Sequence, residues 1–134
     1  FIPVIIGMGG NIGTQSSTII VRGMATGRIE IGSEMKILLK EIRVGMILGV
    51  LYGLMLGVFA NFRFMDAHPM LGLVVGLSIC CSMLIATAVG TFTPLVLRKL
   101  DIDPAIATGP FVTTSIDILG VLLYFVIAGY FLTI

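Results

Sequence analysis

The chain has 134 residues, 57% of them hydrophobic and 11% charged, with a mean hydropathy of +1.15. That composition excludes an ordinary soluble domain and describes a membrane protein forming one compact unit. A net charge of +1 and the lack of a basic patch interleaved with aromatics argue against a nucleic-acid partner and leave the lipid bilayer as the first one.

About 20 apolar residues cross a hydrocarbon core of ~30 Å. Four stretches qualify, near residues 1–21, 44–61, 69–97 and 104–134. The fold class they predict is all-α, a polytopic transmembrane helical bundle. The third and fourth exceed the minimum, so they are expected to tilt, kink or leave the membrane in part.

The first stretch contains Gly7-Met8-Gly9-Gly10-Asn11-Ile12-Gly13-Thr14-Gln15-Ser16-Ser17-Thr18, with four glycines and six amide or hydroxyl side chains. Asn11, Thr14, Gln15 and Thr18 recur at i, i+3, i+4 and i+7, hence on one helix face. Buried polar side chains need partners, either other helices or water. Lining a hydrated path is the favoured reading over interhelical bonding, because the glycines also bring backbone carbonyls within reach. The glycine spacing is no nucleotide fingerprint: no Lys-Ser/Thr follows it and no soluble βαβ unit surrounds it.

The loop that follows carries Arg22, Arg28, Lys36, Lys40 and Arg43. Within it Met35, Leu38, Leu39 and Ile42 recur at helical spacing, with Lys36, Lys40 and Glu41 facing elsewhere. Residues 33–43 therefore read as a short amphipathic helix on the cytoplasmic interface, a connector or a coupling element for a regulatory domain. The second span places Gly45, Gly49, Gly53 and Gly57 on one stripe, a seam for close helix packing. Gly72 and Gly76 continue the theme in the third span. Cys80 and Cys81 are adjacent on a helix and point apart, so they read as small buried groups and not as a bridge. Thr87, Gly90, Thr91, Thr93 and Pro94 end that span; the proline frees a carbonyl, and the threonines either satisfy such groups or line a pore.

The last span opens Asp103-Pro104-Ala105 and runs through Gly109-Pro110-Phe111-Val112-Thr113-Thr114-Ser115-Ile116-Asp117. Pro110 donates no backbone hydrogen bond, which predicts a free carbonyl on Ile106. Asp117 is the only charged residue that this reading places inside a span; the other acids and every Lys and Arg fall in or beside loops. An ionised carboxylate there costs about 2.5–3.5 kcal/mol on insertion scales and normally faces a watery cavity or bundle interior. Thr113 lies one turn away on the same face. Carboxylate, carbonyl and hydroxyl are hard oxygen ligands suited to Mg²⁺ or Ca²⁺. A competing reading keeps Asp117 protonated and bonded to Asn11 or Gln15 as a helix tie. One carboxylate is little charge for a bare dication, so a two-fold homodimer with paired Asp117 groups around a hydrated ion is expected, a homodimeric pore.

Loop charge sets the topology. Five basic residues in the first loop and two in the third (Arg98, Lys99) oppose the single Arg63 of the second. By the positive-inside rule loops 22–43 and 98–103 are cytoplasmic and loop 62–68 external. Both ends of the chain then lie outside, which predicts a further span upstream of Phe1, and with it a soluble domain. No enzyme is expected, since no span groups a nucleophile, a base and an orienting residue, and His68 lies in the external loop.

Pro3, the run Gly7–Thr18 with Arg22-Gly23 after it, Asp103-Pro104-Ala105 and Gly109–Asp117 together closely resemble the transmembrane domain of the bacterial MgtE magnesium transporters, over essentially the whole chain. The resemblance implies a homodimer with five spans per subunit, of which this chain is similar to spans two to five, in the inner (plasma) membrane. It implies that Asp117 is the pore carboxylate recognising hydrated Mg²⁺. The Thr113 carbonyl and the backbone around Gly7 and Gly10 would complete the ion path, with Asn11 and Gln15 lining it. Thr14 and Gly109 fall where some relatives carry asparagines near the cytoplasmic gate. Relatives carry cytosolic Mg²⁺-sensing domains, an N-terminal one and paired CBS domains, which this stretch does not contain. The function expected is Mg²⁺-selective, channel-like transport, with Mn²⁺, Co²⁺ and Ca²⁺ as possible further cargo. A proton-coupled carrier and a non-transporting assembly subunit are the alternatives.

Overall fold

The computed structural model describes residues 1–29, 32–64, 66 and 68–132. Parts of the loop expected at 62–68, residue Glu30 of the first loop and the last two residues of the span expected to reach 134 lie outside them. The described residues form four helices, α1 (Ile2–Ala25), α2 (Glu34–Phe64), α3 (Leu71–Lys99) and α4 (Pro110–Leu132), with a 3-10 turn at Pro104–Thr108 ahead of α4. The all-α bundle is as expected: no strand occurs among the described residues. The segments α2, α3 and Pro104–Leu132 are each long and apolar enough to cross a membrane. The 24 residues of α1 span about 36 Å, long enough to cross, but its Asn, Gln, Ser and Thr side chains make it less apolar.

Local chemistry fixes the ends of these helices. Pro3 sits in the first turn of α1, where a missing N–H costs nothing. After Thr26 the chain turns through Gly27 at φ +68°, and the Gly27 and Arg28 amides close onto the Met24 and Gly23 carbonyls. Asp103 caps the 3-10 turn by accepting from the Ala105 amide at 3.0 Å. Gly109 then runs extended (φ −114°, ψ −154°) and Pro110 opens α4.

Two features differ from the sequence reading. The stretch read as a linker helix at 33–43 and the span read at 44–61 are one continuous helix, because no Gly or Pro breaker separates Ile42 from Val44. At 31 residues, α2 is about 46 Å long, so its first ten residues continue the helix of the second span instead of forming a separate one. In the fourth segment Pro110 begins a helix and does not interrupt one. Ile106 belongs to the separate 3-10 turn, so its carbonyl is not freed by a proline kink.

The hub is α3, buried on two sides. On one side α2 lays its glycine stripe along it: a Cβ on Gly53 would stand 2.7 Å from the Gly76 carbonyl oxygen, and one on Gly57 would stand 2.8 Å from that of Gly72. Gly45 meets the Thr87 side chain, and Gly49 the Cys80 backbone. On the other side α1 and α4 pack against α3 and each other. There Ala86, Ala107, Val112 and Ile116 form one apolar cluster; Ile5, Ala60, Val75, Ile79 and Met83 form a second toward the opposite end. The Thr87 and Thr93 hydroxyls donate to the Met83 and Val89 carbonyls at 2.8 and 2.7 Å, so they serve their own helix. Ile47, Leu54 and Phe59 of α2 and Leu122, Phe125 and Val126 of α4 project outward, the surface expected against lipid tails.

Placing a methyl on the seam forces α2 off α3. Gly53→Ala is expected to destabilise the fold by about 1–3 kcal/mol. Gly129→Ala, which meets nothing within 4 Å, leaves the melting temperature of the detergent-solubilised protein unlowered, since alanine is the better helix former. Size-exclusion profiles after graded heating compare the two.

Candidate functional site

Asp117 sits two turns into α4, half-buried, and faces α1 at Gly10: a Cβ on Gly10 would lie 3.6 Å from its Oδ1. A Cβ at that distance would be in ordinary van der Waals contact with the carboxylate, so the carboxylate lies directly over this turn of α1. The spacing of α1 and α4 that creates this contact is set by neighbouring glycines. Gly9 and Gly120 both pack against the buried Ser82 Oγ, at 3.1 and 3.2 Å from an imagined Cβ, and Gly13 is filled by the Ile116 side chain. Gly13 also backs onto Gly90, the residue whose carbonyl loses its helical donor to Pro94.

From Gly10 the polar part of α1 fans outward. At 100° per residue, Thr14, Gly7, Thr18, Asn11 and Gln15 follow Gly10 within an arc of about 140°. Gly7, Asn11, Gln15 and Thr18 are exposed, with Thr14 half-buried. The Thr14 hydroxyl turns inward and donates to the Gly10 carbonyl at 2.8 Å. Asn11 and Gln15 do not bond Asp117 among the described residues; they face away from the bundle. Thr113, one turn before Asp117, spends its hydroxyl on the Pro110 carbonyl at 3.1 Å. Gly109 is half-buried, has open space around an imagined Cβ, and its carbonyl accepts from the Val112 amide at 3.2 Å. The structure thus brings Asp117, Gly10 and Thr14 together, sets Gly7 and Thr113 one turn away, and leaves Asn11 and Gln15 on the same polar arc without contact. The four glycines at positions 45, 49, 53 and 57 lie elsewhere, on the α2–α3 seam.

No three His, Cys, Asp or Glu side chains gather among the described residues. A lone carboxylate beside backbone and hydroxyl oxygens suits a cation that keeps its water, since water supplies the ligands the protein does not.

The sequence reading missed a second carboxylate. Glu41, read as a loop residue facing away from the apolar side, is 7% exposed and accepts from the Ser16 hydroxyl of α1 at 3.3 Å. The signal was present: Glu41 lies four residues before Gly45 and so heads the buried stripe of α2. Beside Ser16, the fully buried Ser17 donates to the Ala107 carbonyl in the 3-10 turn at 2.8 Å.

Comparison with known proteins follows the same lines. The family model MgtE, described as "Divalent cation transporter", matches residues 2–127. The magnesium transporter MgtE of Thermus thermophilus is 38% identical over 128 residues, 96% of this chain and 28% of that protein. Those of Bacillus subtilis and Enterococcus faecalis are each 35% identical over 132 residues, 98% of this chain and 29% of each. The chain therefore spans less than a third of the length of these relatives.

Filling the α1–α4 contact forces the buried Ile116 side chain out of its place. Gly13→Ala puts a methyl against Ile116 and 3.2 Å from the Ala86 carbonyl, with an expected loss of about 1–3 kcal/mol. Gly7→Ala enters open space and does not lower thermal stability, alanine being the better helix former, as read by the same heating assay.

Proposed function

The chain belongs to the MgtE family of divalent cation transporters, and on that premise we propose that it forms the ion path of a Mg²⁺-selective, channel-like transporter. The observation that carries the reading is Asp117 against the bare backbone at Gly10, continuous with an outward-facing polar arc on α1. In hydrocarbon such an arc requires either water or a second protein surface. A homodimer supplies both: a two-fold axis beside the arc pairs two Asp117 carboxylates and encloses the Gly7, Asn11, Gln15 and Thr18 surfaces around a wet path.

Selectivity then follows from hydration. Mg²⁺ surrenders its water reluctantly, so paired carboxylates and nearby carbonyls, those of Gly7, Gly10 and Thr113, grip the water shell rather than the ion. The number and size of the waters distinguish Mg²⁺ from larger Ca²⁺, with Mn²⁺ and Co²⁺ nearer in size. Outer-shell contact is weak enough for release, which conduction requires. Thr14, one turn past Gly10, and Gly109, just ahead of α4, lie on the side of Asp117 that the positive-inside rule assigns to the cytoplasm, with loops 22–43 and 98–103 inside and 62–68 outside in the bacterial plasma membrane. In that topology α1 is the first membrane crossing of this stretch.

Mg²⁺ uptake into proteoliposomes under an inside-negative potential is the direct test. Uptake is expected to fall to the level of empty vesicles for both Asp117→Ala and Asp117→Asn. Uptake that survives in Asp117→Asn contradicts the carboxylate mechanism, and uptake that follows a proton gradient instead of the potential favours a coupled carrier.

A further inference from the structure

Ser16 and Ser17 are consecutive on α1 and point about 100° apart. One reaches α2 through Glu41, the other the 3-10 turn through Ala107. A single turn of α1 therefore grips both segments that flank it. Ala107 stands three residues before Pro110, where α4 starts, and two turns later α4 delivers Asp117 to Gly10. Along α1, Ser17 lies seven residues from Gly10, about 10 Å. The chain leading into α4 is thus pinned to α1 at two levels, and the inner level is shared with α2.

The inner tie is polar where the rest of the α2 stripe is glycine. Glu41 is almost wholly enclosed, the only ion pair among the described residues is Lys99–Glu34, and no other side-chain hydrogen bond links α1 to α2 there. A buried carboxylate held by one hydroxyl is a poor filler for a packing seam, where glycine or alanine would lie closer. It is suited to fixing rotation: a hydrogen bond specifies the direction of Ser16, and with it that of Ser17.

We propose that Glu41 is a positioning residue for the ion path. By holding Ser16 it sets the rotation of the inner turn of α1. Ser17 passes that setting through Ala107 to the start of α4, and so to the placement of Asp117 against Gly10. The inference rests on the ion-path reading of Asp117, and it adds a residue of α2, a helix that contributes nothing to the polar arc.

The test measures Mg²⁺ uptake against Mg²⁺ concentration for the full-length protein reconstituted at matched amounts, comparing Glu41→Ala, Glu41→Gln, Ser16→Ala and Ser17→Ala. Half-saturation is independent of how much protein is active, so a purely structural defect lowers only the maximal rate. Glu41→Ala and Ser17→Ala are expected to raise the half-saturating concentration about three- to tenfold, the reach of one buried hydrogen bond. Glu41→Gln, whose amide oxygen still accepts from Ser16, stays within about twofold. If Glu41→Ala does not fold, Ser16→Ala removes the same bond from the donor side and is expected to show the same rise. Unchanged half-saturation in these variants, while Asp117→Ala abolishes uptake, overturns the inference alone. A Glu41→Gln defect equal to that of Glu41→Ala also overturns it, since the charge and not the bond would then matter. Absence of uptake by the unsubstituted protein, or uptake that survives Asp117→Ala, overturns the ion-path reading and this inference with it.

Discussion

Lipid tails are as apolar as leucine, so helices in a membrane gain little from hiding apolar surface on one another; close contact must hold them together. This fold meets that constraint by letting α1 and α2 approach α3 at backbone distance while α4 packs a glycine against an α3 side chain. On one flank Gly45, Gly49, Gly53 and Gly57 of α2 lie on Thr87, Cys80, Gly76 and Gly72. On the other, Gly13 meets Gly90, and Gly9 and Gly120 share the hydroxyl of Ser82. Each contact removes side-chain bulk and replaces it with many short dispersion contacts.

The placement of Asp117 follows from that packing. Had α1 and α4 been held apart by ordinary side chains, the carboxylate would face a gap or another side chain. Because Gly9, Gly13 and Gly120 let them close, it faces the backbone of Gly10. The Thr14 hydroxyl that donates to the Gly10 carbonyl stands one turn further along the same helix. The polar residues of α1 divide by direction: Ser16 and Ser17 turn inward to fasten neighbours, and Asn11, Gln15 and Thr18 turn outward.

Much of this was legible from residue spacing. Four-residue glycine intervals announced the α2 seam, and the one acid of the last apolar stretch drew the eye to Asp117, which faces α1 at Gly10. What was not legible came from two kinds of ambiguity. Proline reads equally as a breaker or as a first-turn residue, and only the extended Gly109 decides that Pro110 starts α4. Charge marks a loop on average, so Glu41 was assigned to water, although its four-residue offset from Gly45 placed it on the buried stripe. Whether a hydroxyl bonds along its own helix or across to another is a matter of rotamer and neighbour, which spacing does not encode. Thr87 and Thr93 turn back on α3, while Ser17 reaches across.

The unbroken length of α2 has a consequence for the surrounding bilayer. A rod of about 46 Å in a hydrocarbon slab of ~30 Å must lean or protrude, and the choice depends on how thick the slab is. Since Glu41 rides near one end of that rod and Phe64 closes the other, acyl-chain length acts on the same helix that touches α1 at Ser16. Vesicles made from short-chain and long-chain lipids are therefore not interchangeable hosts for this protein, and lipid composition belongs among the controlled variables when its variants are compared.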